Sequence, residues 1–491
     1  MSLIHRPSTA LAAILLALAG CNNLPGGGGG DQAATAQAAG VTPEALQAAV
    51  TDEPLRRFYE ARQWQSAWSD QSAEQLKTTL RGAVNHGLDP NSFLQEVERA
   101  GSPVEKEVAM SRAALSYAQA LAHGKTDPAQ LFEVYTLPRN QVDVPAGLAQ
   151  AASQGQATQW IESQAPQDEE YRALSQAYVQ QLQATRQPQP PQQPQHQGQQ
   201  QDDQATGKGK AKDKARPKEK AREQRTQEMA PEAPSERAVV LAVNLERRRW
   251  LPRQAEATRI DVNTAATFLR YIRDNQIVDQ RVVVNGEPGW ETPQLGSPIY
   301  RLVANPDWTV PESIEKDELA NLSAAQLARK NMKRENGRLV QQPGPDNALG
   351  VVKLDMQNEH AIYLHDTPSK SAFGQERRHL SHGCVRVKDA LGFARMLAEH
   401  SGKLAEFDKA LAQKSEGNPK TAFVDLGQQI PVRLLYHTAY VDNGQLAVVA
   451  DPYGWDAKVA QALGLPVPPA SQANQQSAEQ KRQRRLGDFG P

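Results

Sequence analysis

Leu380-Ser381-His382-Gly383-Cys384-Val385-Arg386-Val387 concentrates reactive chemistry as no other stretch of the chain does. The sequence holds two cysteines, and Cys384 stands here behind a His and a Gly. A thiolate is the nucleophilic form of cysteine, and a neighbouring imidazole or a helix N-terminus lowers a thiol pKa toward neutrality. Upstream, His365 is a candidate base for such a thiol. Gly383 lets backbone N–H groups converge on one point, as an oxyanion hole requires. The apolar spacing of Leu391, Ala394, Leu397 and Ala398 predicts a helix directly after Cys384. Residue types alone leave three readings open: a thiol nucleophile, a small buried Cys packed as a hydrophobe, and a metal site drawn from His365, His379, His382 and Cys384.

Ser-His-Gly-Cys followed by an apolar residue and Arg, with His365 ahead of it, resembles the active-site signature of the L,D-transpeptidases, the YkuD-like catalytic domain. Ala361-Ile362-Tyr363-Leu364-His365-Asp366-Thr367-Pro368 resembles the strand and turn that carry the family's catalytic His. Val243-Asn244-Leu245-Glu246-Arg247 with Trp250-Leu251-Pro252, Asn305-Pro306 with Trp308 and Val310-Pro311, and Pro343-Gly344-Pro345 with Asn347-Ala348-Leu349-Gly350 resemble the large, YcbB-like branch of that family. The resemblance covers residues 237–456.

It implies two-step acyl transfer on peptidoglycan stem peptides. Cys384 would attack the carbonyl of a diamino acid at the third position and expel D-alanine. A side-chain amine of a second stem would then resolve the thioester into a 3–3 cross-link. His365 would take and return the proton. The N–H groups of Gly383 and Cys384 would hold the oxyanion, with His382 and Ser381 in support. Asp366 would orient His365 through its backbone carbonyl or its side chain. Arg386 could grip a stem carboxylate as a bidentate partner or brace the loop. Tyr363, two residues from His365 on a strand, would share its face, and Trp308 would either wall the cleft or serve the core. The family needs no metal or other cofactor, acts as a monomer and is inhibited by carbapenems. Two other functions stay open: a hydrolase of the same fold, which trims stems or releases wall-bound lipoprotein, and a non-catalytic wall-binding scaffold.

These pieces sit in a chain of 491 residues, long enough for two or three domains. A formal net charge of −1 gives no global pull toward nucleic acid or membrane. Hydrophobic residues are only 39%, which predicts unpacked linker. Residues 1–20 read as an export signal whose apolar core is too short to span a bilayer. It ends in Leu18-Ala19-Gly20-Cys21, which resembles a bacterial lipobox, so Cys21 would be lipidated and anchor the protein, and Asn22 would sort it to the outer membrane from the periplasmic side. With Cys21 acylated and Cys384 a free thiol, no disulfide is expected.

Residues 21–40 read as a flexible tether. Residues 41–185 are expected to be an all-α scaffold domain, with Thr42-Pro43-Glu44 and Asp89-Pro90 as helix starts and Met110, Ala114, Tyr117 and Leu121 on one buried face. Phe58, Tyr59, Trp64 and Trp68 are expected in its core. A Gln/Pro then Lys/Arg-rich disordered linker is expected over 186–236, a β-rich catalytic domain over 237–456 with a capping insertion at about 314–350, and a disordered tail over 457–491. The fold class is therefore α+β and multidomain. The basic excess of the linker could also touch anionic envelope polymers, but nucleic acid is not an expected partner outside the cytoplasm.

Overall fold

The computed structural model describes residues 40–186 and 234–487. Cys21, the export signal, nearly all of the tether and the Gln/Pro and Lys/Arg tract lie outside the described residues.

Helices build the N-terminal part. Thr42 accepts from the Ala45 N–H and starts the helix Pro43–Ala49. A Ser102–Glu105 capping box starts the long helix Pro103–His123, which buries Met110, Ala114, Tyr117 and Leu121. Gly124 ends it at φ 88°, and a Cβ there would fall 2.6 Å from the Trp250 ring, so both the backbone and the contact demand glycine. Phe58, Tyr59 and Trp68 are buried, and Trp64 stacks on Tyr59 with centroids 6.1 Å apart, a core role for all four.

The helix Glu236–Trp250 begins where the linker was expected to end, but it serves both parts of the protein. Its Ala238, Leu241, Ala242 and Leu245 join the core of the N-terminal helices. Its Val239, Val243 and Trp250 pack instead with Tyr436, Tyr453 and Trp455 of the C-terminal part. A helix apolar on more than one side is buried between two layers, and this one fuses the two parts into a continuous body.

The C-terminal part is β-rich. Its strands are β1 (Arg259–Asn263), β2 (Phe268–Arg273), β3 (Gln276–Gly286), β4 (Leu295–Gly296), β5 (Ile299–Ala304), β6 (Trp308–Thr309), β7 (Met332–Glu335), β8 (Arg338–Gln341) and β9 (Val352–Met356). They continue with β10 (Leu364–His365), β11 (His379–Ser381), β12 (Val385–Val387), β13 (Lys414–Ser415), β14 (Asn418–Pro419), β15 (Ala422–Ile430), β16 (Val432–Leu435), β17 (Ala439–Asp442) and β18 (Gln445–Val448). The main sheet has eleven strands in the order β15-β5-β9-β10-β12-β3-β2-β1-β16-β4, with β11 also paired to β3. Phe393 and Phe407, from the helices Ala390–His400 and Leu404–Leu411, pack with the inward Val, Ile and Leu residues of the sheet. Strands β6, β8 and β7 form a separate three-stranded sheet, and Val310, Ile314 and Leu339 give this insertion its own small core.

The tail departs from the expected disorder. The helices Trp455–Leu463 and Pro469–Gly487 follow the last strand. Trp455, Val459 and Ala460 pack with Phe132 and Trp250, and Asp456 pairs with Arg247 at a fully buried position while accepting from the Thr438 hydroxyl at 2.8 Å. Polar composition hid this docking, because the apolar residues recur only at helical spacing. Asp456→Ala would strand the Arg247 guanidinium without its counter-charge. It is expected to lower the unfolding free energy by about 3–5 kcal/mol in urea titration; a loss below about 1 kcal/mol would mean that the pair does not hold the tail.

Candidate active site

Val385-Arg386-Val387 forms a strand rather than the start of a helix. It pairs in parallel with β10 (Leu364 opposite Val385, His365 opposite Arg386) and antiparallel with β3 (Arg386 opposite Val284). Two β-branched residues alternating with Arg suit a buried central strand. The expected helix begins only at Ala390, capped by Asp389, so no helix N-terminus reaches the thiol. Successive strand residues alternate faces, so Tyr363 and His365 from one side share a face with Cys384 and Arg386 from the other.

Cys384 is a free, half-buried thiol and donates to the Ala361 carbonyl at 3.5 Å. Among the described residues no hydrogen bond joins it to His365. Tyr363 neighbours both: its ring lies edge-on to His365 at 5.6 Å, and its backbone N–H and hydroxyl face the sulfur. The Trp308 indole faces the same hydroxyl, so Trp308 and Tyr363 are neighbours beside the thiol. His365 is buried, and among the described residues its Nδ1 has no hydrogen-bond partner. The Asp366 backbone carbonyl faces the ring and favours its protonated form without meeting hydrogen-bond geometry at Nδ1. The Asp366 carboxylate is turned away, paired with Lys370 and accepting the Val351 N–H at 3.1 Å.

The loop before the nucleophile is tied from several sides. Gly383 has φ 109°, a left-handed conformation that favours glycine. Its N–H is not free for an oxyanion as expected, since it donates to Ser381 Oγ at 3.3 Å, and Ser381 Oγ donates to the Cys384 carbonyl at 2.6 Å. Thr292 Oγ1 donates to the Gly383 carbonyl at 2.8 Å and accepts the Gly286 N–H at 2.9 Å. Tyr453 closes this network with 2.7 Å to the Gly286 carbonyl, so the C-terminal segment helps to set the loop. His382 meets Trp290 edge-on at 5.2 Å. His379 Nε2 is within 2.9 Å of the Thr264 carbonyl, a structural contact on β11.

Two site residues escape a reading by motif. Lys353, opposite His365 on β9, sets its Nζ 4.3 Å from the Tyr363 ring centroid and 2.7 Å from Asp355. Asp355 is buried and also binds Arg301 at 2.7 Å. The signal was the alternation Val352-Lys353-Leu354-Asp355-Met356, which puts both charges on one face of a strand.

Burial pushes the Cys384 thiol up, and the Tyr363 N–H and hydroxyl, Lys353 and Arg386 only partly oppose it. Burial first, then the Arg386 charge, pushes His365 down to about 3. The resting pair is thus neutral thiol and neutral imidazole rather than the ion pair that a lowered thiol pKa would give. Because the folded His365 pKa lies below its unfolded value near 6.5, its contribution to stability is present above that pH and is lost as the pH falls toward about 3. Alkylation of Cys384 by iodoacetamide is expected to be slow at neutral pH and to keep rising, about tenfold per pH unit, up to and beyond pH 9. A plateau already reached near pH 6 would reveal an ion pair and contradict this electrostatics.

Residues 257–415 match the L,D-transpeptidase catalytic domain, YkuD, and residues 53–177 match the family described as a scaffold domain. The chain carries a YkuD L,D-transpeptidase catalytic domain and, ahead of it, a scaffold domain. A protein of Haemophilus influenzae that bears the name "Putative L,D-transpeptidase" is 30% identical over 243 residues, which cover 45% of this chain and 48% of that protein. The chain therefore spans about half the length of this curated relative. A solved structure of the Ldtfm-avibactam carbamoyl enzyme is 14% identical, covering 37% of this chain and 49% of that one at a TM-score of 0.21. A cysteine-to-serine mutant of an L,D-transpeptidase from Enterococcus faecium is 12% identical, covering 37% and 50% at a TM-score of 0.19.

Proposed function

We propose that this protein forms 3–3 cross-links in peptidoglycan by cysteine acyl transfer. The observation that carries this reading is the parallel ladder of β10 and β12, which sets Cys384, Tyr363, His365 and Arg386 on one face of the sheet beside Trp308 of the insertion.

A tetrapeptide stem enters the cleft with the carbonyl of its third residue at Cys384. The thiol turns from Ala361, and its proton passes to neutral His365 as sulfur bonds to the carbonyl carbon. Collapse of the tetrahedral adduct breaks the bond to D-alanine, whose amine takes the proton back from His365. The side-chain amine of a second stem then attacks the thioester, loses a proton to His365 and restores the thiol. Because Ser381 already engages the Gly383 N–H, the oxyanion draws on the Cys384 N–H, joined by Gly383 as the loop shifts on acylation. Arg386 and Lys353 make the cleft positive, which suits a stem carboxylate. Membrane attachment through acylated Cys21 at the periplasmic face of the outer membrane completes the proposal.

Purified protein given a tetrapeptide muropeptide is expected to yield cross-linked dimers and free D-alanine. Cys384→Ala is expected to lose at least about a thousandfold in rate while its melting temperature stays within a few degrees. Monomeric tripeptides as sole product would assign a hydrolase instead, and cross-linking by the variant would remove Cys384 from the mechanism. Cys21→Ala is expected to move the protein from the membrane to the soluble fraction, since each buried lipid methylene contributes about 0.8 kcal/mol of membrane affinity; continued membrane association would point to a different anchor.

A further inference from the structure

Gly383 and Cys384 share one peptide unit. The Gly383 carbonyl and the Cys384 N–H are therefore two ends of a single rigid plane and point in opposite directions. Whatever holds the carbonyl also aims the N–H. The Cys384 N–H has no hydrogen-bond partner among the described residues. Packing does not fix the plane. Gly383 stands at φ 109°, and a Cβ there would meet nothing beyond its chain neighbours nearer than 3.5 Å. A glycine with such room takes either sign of φ with little resistance, so a hydrogen bond must hold the plane.

That bond comes from Thr292. Its Oγ1 donates to the Gly383 carbonyl at 2.8 Å and accepts the Gly286 N–H at 2.9 Å. A hydroxyl has one proton, and here it is committed to Gly383 because the Gly286 N–H already donates to the oxygen. Thr292 is itself held from behind. Its N–H donates to the Tyr453 hydroxyl at 3.3 Å, and that hydroxyl donates to the Gly286 carbonyl at 2.7 Å. Gly286 admits no larger residue, since a Cβ would fall 1.8 Å from the Trp290 carbonyl. The turn between Gly286 and Thr292 is pinned to the nucleophile's loop where the Glu287 N–H donates to the Ser381 carbonyl at 2.9 Å. Thr292 and Tyr453 are both fully buried, so the network lies behind the loop and the Cys384 N–H is turned away from it.

We infer that Thr292 is the positioning residue of the oxyanion donor: by fixing the Gly383 carbonyl, it aims the Cys384 N–H at the carbonyl oxygen of an acyl donor. Thr292 itself touches no substrate. This role presupposes acyl transfer at Cys384. As sulfur bonds to the acyl carbon, the carbonyl electron pair moves to oxygen, and the N–H meets a charge that the ground state lacks. Collapse returns the pair, breaks the bond to the leaving nitrogen and gives that nitrogen the thiol proton. Alkylation by iodoacetamide develops no such charge: sulfur displaces iodide from a saturated carbon, and the thiol proton goes to solvent. Thr292 therefore governs acylation and leaves alkylation alone.

The test uses full-length protein, a carbapenem as acyl donor and iodoacetamide as the control electrophile, with both reactions followed in time by intact-mass spectrometry. Thr292→Val nearly keeps the shape and removes the hydroxyl. It is expected to slow maximal acylation about tenfold to a hundredfold, less than the roughly 10²–10³ that loss of a whole oxyanion donor costs. The carbapenem concentration for half-maximal rate and the alkylation rate are expected to stay within about twofold of native. Thr292→Ser, which restores the hydroxyl, is expected to recover acylation to within about threefold of native. If Thr292→Val does not fold, Tyr453→Phe, which releases the Thr292 N–H, carries the same test with an expected loss of about fivefold or more in acylation alone. Acylation of a folded variant at the native rate, an equal fall in alkylation, or no recovery in Thr292→Ser would each overturn the inference and leave acyl transfer standing. Native protein that takes no acyl group would overturn acyl transfer itself and the role of Thr292 with it.

Discussion

Leu364 opposite Val385 and His365 opposite Arg386 form two rungs of a parallel ladder, and the site hangs on them. Parallel neighbours cannot be joined by a tight turn, so a crossover must separate them. Here residues 366–384 supply it, with β11 laid along β3 on the way back. Because side chains alternate at every residue, slipping the ladder by one would send Cys384 to the opposite face from Tyr363 and His365. The antiparallel neighbours β9 and β3 hold the register from both sides, and β9 adds Lys353 and Asp355. The same alternation that fixes the pairing therefore composes the electrostatics of the cleft.

The scaffold and the tail support that ladder from a distance. The helix Glu236–Trp250 belongs to two cores at once, and its Arg247 holds the helix Trp455–Leu463 through Asp456. Tyr453, just before that helix, reaches Gly286 and through Thr292 the Gly383 carbonyl. A physical path thus runs from the last helices of the chain to the residue before the nucleophile. It explains why a polar C-terminal segment is folded at all: its few apolar residues cover aromatic side chains that would otherwise be exposed.

The shared face of Tyr363 and His365 was legible in the sequence, because a strand of period two leaves little freedom once one of its residues is placed. The scaffold helices were legible as well, since Thr42 and Asp89 mark their starts by hydrogen-bond chemistry that acts locally. What stayed hidden depends on long-range pairing. Cys384 faces Tyr363 because of the register between two separate strands. Val385–Val387 became a strand because β10 and β3 were there to pair with it. The double role of the helix Glu236–Trp250 stayed hidden for the same reason: it carries apolar residues on two faces, each matched to a different partner.

The account rests on a neutral, half-buried thiol at Cys384 that is nonetheless an acylating nucleophile. Intact-mass spectrometry after incubation with a carbapenem, followed by peptide mapping, tests this most directly. One adduct of the drug's full mass per chain, located on Cys384 and absent in Cys384→Ala, is the result predicted. An unmodified Cys384 in folded protein after prolonged exposure, or an adduct on another side chain, would contradict it.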